Sequence, residues 1–250
     1  MEKLETYIES INAAETPVEA FERYCKIMKK FGYDRVVYSL MTDHPSLNLP
    51  RQHGLVSSYP QDFVDYYNKA GYMDHDPVAQ ELVKTLKPFF WDDLLQEKEM
   101  ADLSVQVMNE AGESGLHDGL AFSMPGKFGE ITAFGLARTD QETARAKDYA
   151  LLASLHLLSV YFHETFRQMH KSEKQIDLTN REQEILQWAS EGKSDDVIAD
   201  ILTISTNTVR FHWKNIFEKL DANGRVFAVT KALRRGIIKP VLIRSYYQKR

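Results

Sequence analysis

The sequence predicts an α+β fold in two parts: an α/β/α sandwich domain with a central antiparallel sheet, then an all-α domain of four helices. Three observations predict it. Up to about residue 168, helical stretches alternate with short runs rich in β-branched and aromatic residues, and two such runs flank Pro125-Gly126-Lys127-Phe128-Gly129 as the strands of a hairpin would. From Leu178 onward only helical periodicity remains, punctuated by a capping box and by glycine. Between them, residues 168–177 (QMHKSEKQID) are polar and lack apolar periodicity. The expected organisation is therefore a domain at 1–168, a linker at 169–177 and a domain at 178–250.

The elements follow in order. The opening segment, MEKLETYIES, is charged and amphipathic and has no apolar core like that of a signal peptide. Thr16-Pro17-Val18-Glu19 reads as a capping box with proline at the first helical position, and the helix it opens ends near Gly32. Residues 33–41 (YDRVVYSLM) read as a strand, with Val37, Ser39 and Met41 alternating onto one side. Residues 60–70 form a helix stopped by Gly71, and Asp76-Pro77 opens another with Asp76 as its cap. A short strand at 89–91 and a helix over 95–111 come next. Residues 119–124 and 130–138 are the hairpin strands, and 142–170 is a long, largely apolar helix.

In the second part, Thr179-Asn180-Arg181-Glu182 is another capping box. It opens a helix with Ile185, Leu186 and Ala189 on one face, and Gly192 is placed to end it. The next helix carries Val197, Ile198, Ile201 and Leu202 as its apolar stripe. Thr203-Ile204-Ser205 makes a short polar break, after which Thr206 caps a third helix. On that helix Val209, Trp213, Ile216 and Leu220 share one face, while Asn207, Arg210, Phe211, Lys214 and Glu218 lie opposite. A fourth helix over 225–235 closes the bundle.

The charge distribution agrees with the basic outer face of the third helix. The chain carries a net charge of −5, yet residues 178–250 hold 13 Lys+Arg against 8 Asp+Glu, and from Thr208 onward the count is 11 against 2. A basic end on an acidic body suits a polyanion partner, or else a solvated basic face. Helix, short turn and basic helix together read as a helix-turn-helix DNA-binding domain, the third helix entering the major groove. Arg210 and Lys214, one turn apart, reach guanine edges or phosphates, with Asn207 and Thr208 beside them at the helix start. Phe211 is apolar and outward-facing, which suits a thymine methyl or packing against the linker or a partner domain.

The run LTNREQEILQWASEGKSDDVIADILTISTNTVRFHWKNIFEKLDANGRVFAVTKALRRG resembles the LuxR-type helix-turn-helix throughout. The matching positions are Glu182, Leu186, Gly192, Ile198, Ala199, Thr208, Val209, His212, Lys219, Leu220 and Arg225, with a departure at Gly224, where the family often has a polar residue. The resemblance implies that Arg210, Phe211 and Lys214 face DNA and that His212 is packed. Of the domains that commonly precede this module, a phosphoacceptor receiver would be shorter than the 177 residues here and would need an acidic cluster followed by lysine. Residues 59–77 (YPQDFVDYYNKAGYMDHDP), with Trp91 and Gly119, resemble instead the domain that binds acyl-homoserine lactones. Its six hallmarks fall on Phe63, Tyr67, Asp76, Pro77, Trp91 and Gly119. Five match, and at Phe63 the family has tryptophan.

That resemblance implies a binding chemistry. Asp76 accepts from the ligand's amide N–H, a carboxylate being a strong acceptor; locally, Asp76 also reads as a plain helix cap. Tyr59 donates to the amide carbonyl, or is a structural tyrosine beside Pro60. Tyr67 walls the acyl chain, and Trp91 packs on the lactone ring or is ordinary core. Val37, Ser39 and Met41 line the tail. Phe63 keeps an aromatic wall but lacks the indole donor to the lactone carbonyl. Gly135 stands where many relatives have serine or threonine near the amide. Val64 occupies a position where some relatives use arginine to reach a 3-oxo group, which favours an unsubstituted chain. The expected protein is a cytoplasmic homodimeric regulator that binds an inverted-repeat operator in double-stranded DNA and responds to an acyl-homoserine lactone or a similar small signal. It has no cofactor, no metal and no membrane partner. The alternative is a dimeric DNA-binding regulator that does not depend on a lactone.

Enzyme classes lose their usual ingredients. There is no Gly-x-Ser-x-Gly elbow, no phosphate loop and no zinc-ligand spacing among the eight histidines. A single cysteine, Cys25, leaves no intramolecular disulfide and suits a reducing compartment. No window has the apolar length of a membrane span.

Overall fold

The computed structural model describes residues 3–41, 55–97 (95–97 by backbone alone), 101–126, 131–140, 147–169 and 176–239. Several expected features lie outside these residues: the hairpin turn at 127–130, the start of the long helix at 142–146, His170, and the linker at 170–175. The chain divides into two compact units, one of Met1–Pro125 with Ile131–Ser172, the other built on Glu173–Arg250.

The first unit begins with α1 (Leu4–Asn12) and α2 (Pro17–Lys30). Thr16 caps α2 by accepting from Glu19 N at 3.2 Å. The reciprocal half of the capping box is displaced by one residue, because Glu19 Oε2 accepts from Glu15 N at 2.8 Å. Then come β1 (Arg35–Leu40), β2 (Leu55–Ser57), α3 (Gln61–Ala70), a 3₁₀ turn (Tyr72–Asp74) and α4 (Pro77–Leu82). Asp76 Oδ1 caps α4 by accepting from Val78 N at 2.8 Å. β3 (Phe89–Phe90), α5 (Trp91–Glu97), α6 (Asp102–Glu113), β4 (Asp118–Pro125), β5 (Ile131–Arg138) and α7 (Tyr149–Met169) complete it.

Three sequence expectations shift here. Trp91 opens a helix instead of closing a strand, since Asp92 and Asp93 place acid in its first turn, where the helix dipole favours it. The single helix expected over 95–111 is two, α5 and α6, with Ala101 extended between them. The expected long helix is interrupted at 147–148 and its described part starts at Tyr149, where Asp148 Oδ1 accepts from both Ala150 N and Leu151 N at 2.9 Å. β2, only three residues long, carried no readable period.

The five strands form one antiparallel sheet in the order β2-β1-β5-β4-β3. Side chains alternate across a strand, and in this sheet the alternation also sorts by size. Val36, Tyr38, Leu120, Phe122, Met124, Phe134 and Leu136 point to one face and form a dense core with α1, α2 and α7. Gly119, Ala121, Ser123, Ala133, Gly135 and Ala137, the residues between them on β4 and β5, point to the other. That second face meets α3 to α6 through the smaller cluster around Phe63, Leu82, Trp91 and Leu116. A face of small side chains under a helical layer leaves room that a bulky face would fill.

The second unit contains α8 (Asn180–Ser190), α9 (Asp195–Leu202), α10 (Thr206–Leu220) and α11 (Arg225–Arg234) around a core of Ile185, Leu186, Ile198, Val209, Trp213, Ile216 and Leu220. The Thr179–Glu182 capping box is complete in both directions. Two details correct the expectation. Of the expected stripe, Ile198 is buried and Leu202 packs against the core, but Val197 and Ile201 are each 41 % exposed and Ala199 is buried in their place. One residue on a helix is a turn of about 100°, so the stripe of so short a helix moves to solvent with a shift of one position. Ser205, not Thr206, is the N-cap of α10: Ser205 is extended and its Oγ accepts from Thr208 N at 3.1 Å, while Thr206 is already helical.

Candidate functional site

The thin face of the sheet encloses a cavity of about 170 Å³ in the first unit. Val37, Ser39 and Met41 reach it from β1 and its end, Tyr59 from the segment after β2, and Phe63 and Tyr67 from α3. Asp76 comes from the cap of α4, Trp91 from the start of α5 and Gly135 from β5. All nine residues singled out in the sequence thus meet around one space. Phe63 and Tyr67 are neighbours on α3 at i and i+4, with ring centroids 6.0 Å apart. Leu55, Ser57, Met73, Val107, Met108 and Ala133, among others, complete the walls and were not picked out. Two signals point to three of them: the small-large alternation of β4 and β5 to Ala133, and the apolar face of α6 to Val107 and Met108.

Polar groups in this apolar space are few and specifically tied. Asp76 Oδ2 accepts from Tyr67 Oη at 2.8 Å while Oδ1 holds the helix cap. Burial pushes the Asp76 carboxyl above the usual carboxylate range, the Tyr67 hydroxyl and the Val78 N–H acting against it. Burial and the Asp76 charge both push the Tyr67 and Tyr59 phenols upward, so both stay protonated donors. Tyr59 Oη and Trp91 Nε1 are buried and have no hydrogen-bond partner among the described residues. Such groups carry the full cost of desolvation until an acceptor reaches them.

Two glycines set the geometry. A Cβ on Gly135 would lie 2.7 Å from Val37 Cγ1 and 3.0 Å from Tyr59 Oη, so this strand position yields its side-chain space to the phenol. A Cβ on Gly119 would lie 2.7 Å from Trp91 Cε2 and from Leu136 O, so the indole rests against bare backbone.

In the second unit, α10 is braced by charged groups from the other helices. Trp213 Nε1 donates to Asp195 Oδ1 at 3.0 Å, and Arg225 donates to the same oxygen at 2.9 Å while stacking 5.2 Å from the Trp213 ring centre. Lys219 Nζ donates to the buried Glu182 at 2.8 Å. Burial works against ionisation of Glu182, but the Lys219 ammonium and the Thr179 N–H outweigh it and hold the carboxyl below its ordinary range. The buried Lys231 donates to Leu220 O at 3.2 Å and Asp221 O at 2.6 Å, closing the C-terminal end of α10. Asp195 and Lys231 carried no signal in the sequence because their partners are 10 to 30 residues away.

The opposite face of α10 is left to solvent. Asn207, Arg210 and Lys214 are exposed, and Phe211 is 62 % exposed, a large apolar surface on a basic face. Thr208 is half-buried, with its hydroxyl 2.8 Å from Ser205 Oγ at the cap. His212 is half-buried. No helix among the described residues is long and apolar enough to cross a membrane.

Comparison with known proteins gives a consistent picture. Residues 16–166 match the autoinducer binding domain family, and residues 177–232 match the bacterial regulatory proteins of the luxR family. Among curated relatives, the quorum sensing-dependent transcriptional regulator RpaR of Rhodopseudomonas palustris is 31 % identical over 237 residues, 93 % of each chain. The transcriptional activator LuxR of Aliivibrio fischeri is 31 % identical over 188 residues, 74 % of each chain. Among solved structures, Escherichia coli SdiA matches with a TM-score of 0.79 at 23 % identity, over 94 % of this chain and 98 % of that one. A structure of SdiA in complex with octanoyl-rac-glycerol matches with a TM-score of 0.77.

Proposed function

The chain belongs to the LuxR family of quorum-sensing transcriptional regulators, with an autoinducer-binding domain ahead of its helix-turn-helix, and we propose that its signal is an N-acyl-homoserine lactone held in the cavity over the thin face of the sheet. The observation that carries this is the convergence of Tyr59, Phe63, Tyr67, Asp76 and Trp91 on one apolar space, with Tyr59 a protonated phenol and Asp76 a buried carboxyl. Asp76 accepts from the amide N–H and Tyr59 donates to the amide carbonyl, which gives the buried Tyr59 hydroxyl an acceptor. Tyr67 orients Asp76 and walls the chain. Trp91 and Phe63 flank the ring, Gly135 keeps space for the Tyr59 phenol, and the tail runs along Val37, Ser39 and Met41.

The DNA-binding face in this reading is Asn207, Thr208, Arg210, Phe211 and Lys214. The protein acts as a cytoplasmic homodimer on an inverted repeat, with the ligand domain at 1–168 joined by 169–177 to the DNA-binding domain at 178–250. A second reading, a signal without a lactone carbonyl, is favoured by Phe63, which offers no donor where a ring carbonyl would need one.

The test is thermal unfolding of the purified protein against a series of acyl-homoserine lactones of four to twelve carbons, with the matching monoacylglycerols alongside. A ligand present at 100 times its Kd stabilises the folded state by about 2.7 kcal/mol, which raises Tm by several degrees. Stabilisation by a lactone supports the first reading. Stabilisation by a monoacylglycerol alone supports the second.

A further inference from the structure

The lactone reading leaves one acceptor on the ligand without an obvious donor, the ring carbonyl, and once Tyr59 is assigned to the amide one buried donor of the lining still has no acceptor among the described residues. Phe63 has no N–H or O–H. The Tyr67 hydroxyl is spent on Asp76 at 2.8 Å, and Tyr59 is assigned to the amide. Ser39, Ser57 and Asn68 also line the cavity with polar groups, the Ser57 oxygen accepting from Tyr59 N at 3.0 Å, but none of them is a buried group left without a partner. With Tyr59 Oη, Trp91 Nε1 is one of two buried donors of the lining that are unpartnered among the described residues, and its side chain lies in the same apolar cluster as Phe63.

The indole cannot easily turn away. Trp91 Cε2, the ring atom bonded to Nε1, and Cδ2 lie 2.7 and 2.8 Å from where a Cβ on Gly119 would be. The fused edge of the indole therefore packs on β4 at Gly119, the position that leaves room for it. An indole N–H can only donate, so its acceptor must come from outside the described residues or the group stays unsatisfied.

Resting on the acyl-homoserine lactone reading above, we propose that Trp91 Nε1–H donates to the lactone ring carbonyl in this chain, taking over the polar contact that phenylalanine at position 63 cannot make. Trp91 is then a specificity-determining residue, and the protein prefers a lactone to a ring of the same size that lacks the carbonyl.

The experiment compares two ligands by titration calorimetry: the tightest-binding lactone of the series and the N-cyclopentyl amide of the same acyl chain, which keeps the amide and loses the ring carbonyl. The wild type is expected to bind the lactone about tenfold more tightly, the worth of one net hydrogen bond. Trp91→Phe is expected to bind the two equally, at the affinity of the wild type for the amide. Tyr59→Phe is expected to weaken both ligands alike and keep the tenfold preference, since both ligands carry the amide carbonyl.

A wild type without preference overturns the proposal, as does a Trp91→Phe variant that keeps it, or a Tyr59→Phe variant that loses it. If neither ligand binds the wild type, the lactone reading itself falls and the proposal with it. A second measurement needs no variant. The chain has three tryptophans, of which Trp188 and Trp213 are in the helical unit. In a ¹⁵N–¹H spectrum the Trp91 indole resonance should move downfield with the lactone and stay with the amide, the other two serving as references. Equal shifts with both ligands count against the proposal.

Discussion

Asp76 uses its two oxygens differently: one holds the first turn of α4 and the other receives the Tyr67 hydroxyl. The two uses separate under substitution. Asparagine caps a helix about as well as aspartate, so Asp76→Asn should leave the melting temperature of the unliganded protein within a few degrees of wild type. Its amide oxygen is a weaker acceptor than a carboxylate, so ligand affinity should fall at least tenfold. A normal lactone dose response in this variant would reduce Asp76 to a cap. Gly135 poses the opposite problem, one of space. With Val37 Cγ1 2.7 Å from the added Cβ and Tyr59 Oη 3.0 Å away, Gly135→Ser should destabilise the protein by about 1–3 kcal/mol through overpacking. Val37→Ala removes the nearer obstacle, so the double variant should recover part of that loss in denaturant titration. Additive losses would show that the two side chains do not compete for the same space.

At the scale of elements, α10 is a part held by its neighbours, and in the proposed reading it is the helix that enters the DNA groove. Its inner face is held through Asp195, Glu182 and Lys231, so the outer face need contribute nothing to stability. Arg210→Ala and Lys214→Ala should each leave the melting temperature unchanged within a degree or two. Each should weaken operator binding by about 1–3 kcal/mol where the side chain reads a base. A phosphate contact would instead weaken all sequences alike and lower the salt slope by about one. Unchanged footprints in both variants would remove α10 as the reading helix. The sheet shows the same division of labour, since one residue set on β4 and β5 builds a core and the alternate set clears a cavity.

For the whole molecule, acid acts on the two units through different groups. In the first, burial and then Arg167 lower the His163 pKa to about 4, with Glu164 opposing, and its Nδ1 lies 3.0 Å from Tyr38 Oη. The unfolded chain takes up this proton near 6.5 and the folded chain does not. The contribution of His163 to the stability of this unit is therefore full above 6.5 and falls as pH drops towards 4, by roughly 3 kcal/mol at most. Burial lowers His156 in the same direction. In the second unit the depressed Glu182 carboxyl contributes stability above its unfolded value of 4.5, lost as pH falls below that. Hydrogen exchange followed by mass spectrometry should show protection falling first in the sheet and α7, between pH 6.5 and 4, with α8 to α11 following at lower pH. His163→Gln should reduce the early loss, with His156 leaving a remainder. Simultaneous loss in both units would contradict this account.

What was legible in the sequence was local. The Thr179–Glu182 box, the Asp76 cap and the stripe Val209, Trp213, Ile216 and Leu220 rest on contacts within about four residues. The size alternation of β4 and β5 lies in the sequence too but was not picked out, and it only becomes a cavity once helices cover that face. The LuxR-type pattern named Tyr59, Phe63, Tyr67, Asp76, Trp91 and Gly135 before any of them could be seen to meet. The tertiary structure decided the rest. It turned Val197 and Ile201 outward, started a helix at Trp91, and joined Glu182 to Lys219 and Asp195 to Arg225. The sequence separations of those pairs are 37 and 30 residues. The physical reason is that periodicity follows from bonds along the chain, whereas burial and charge pairing depend on distances through space that no local window contains.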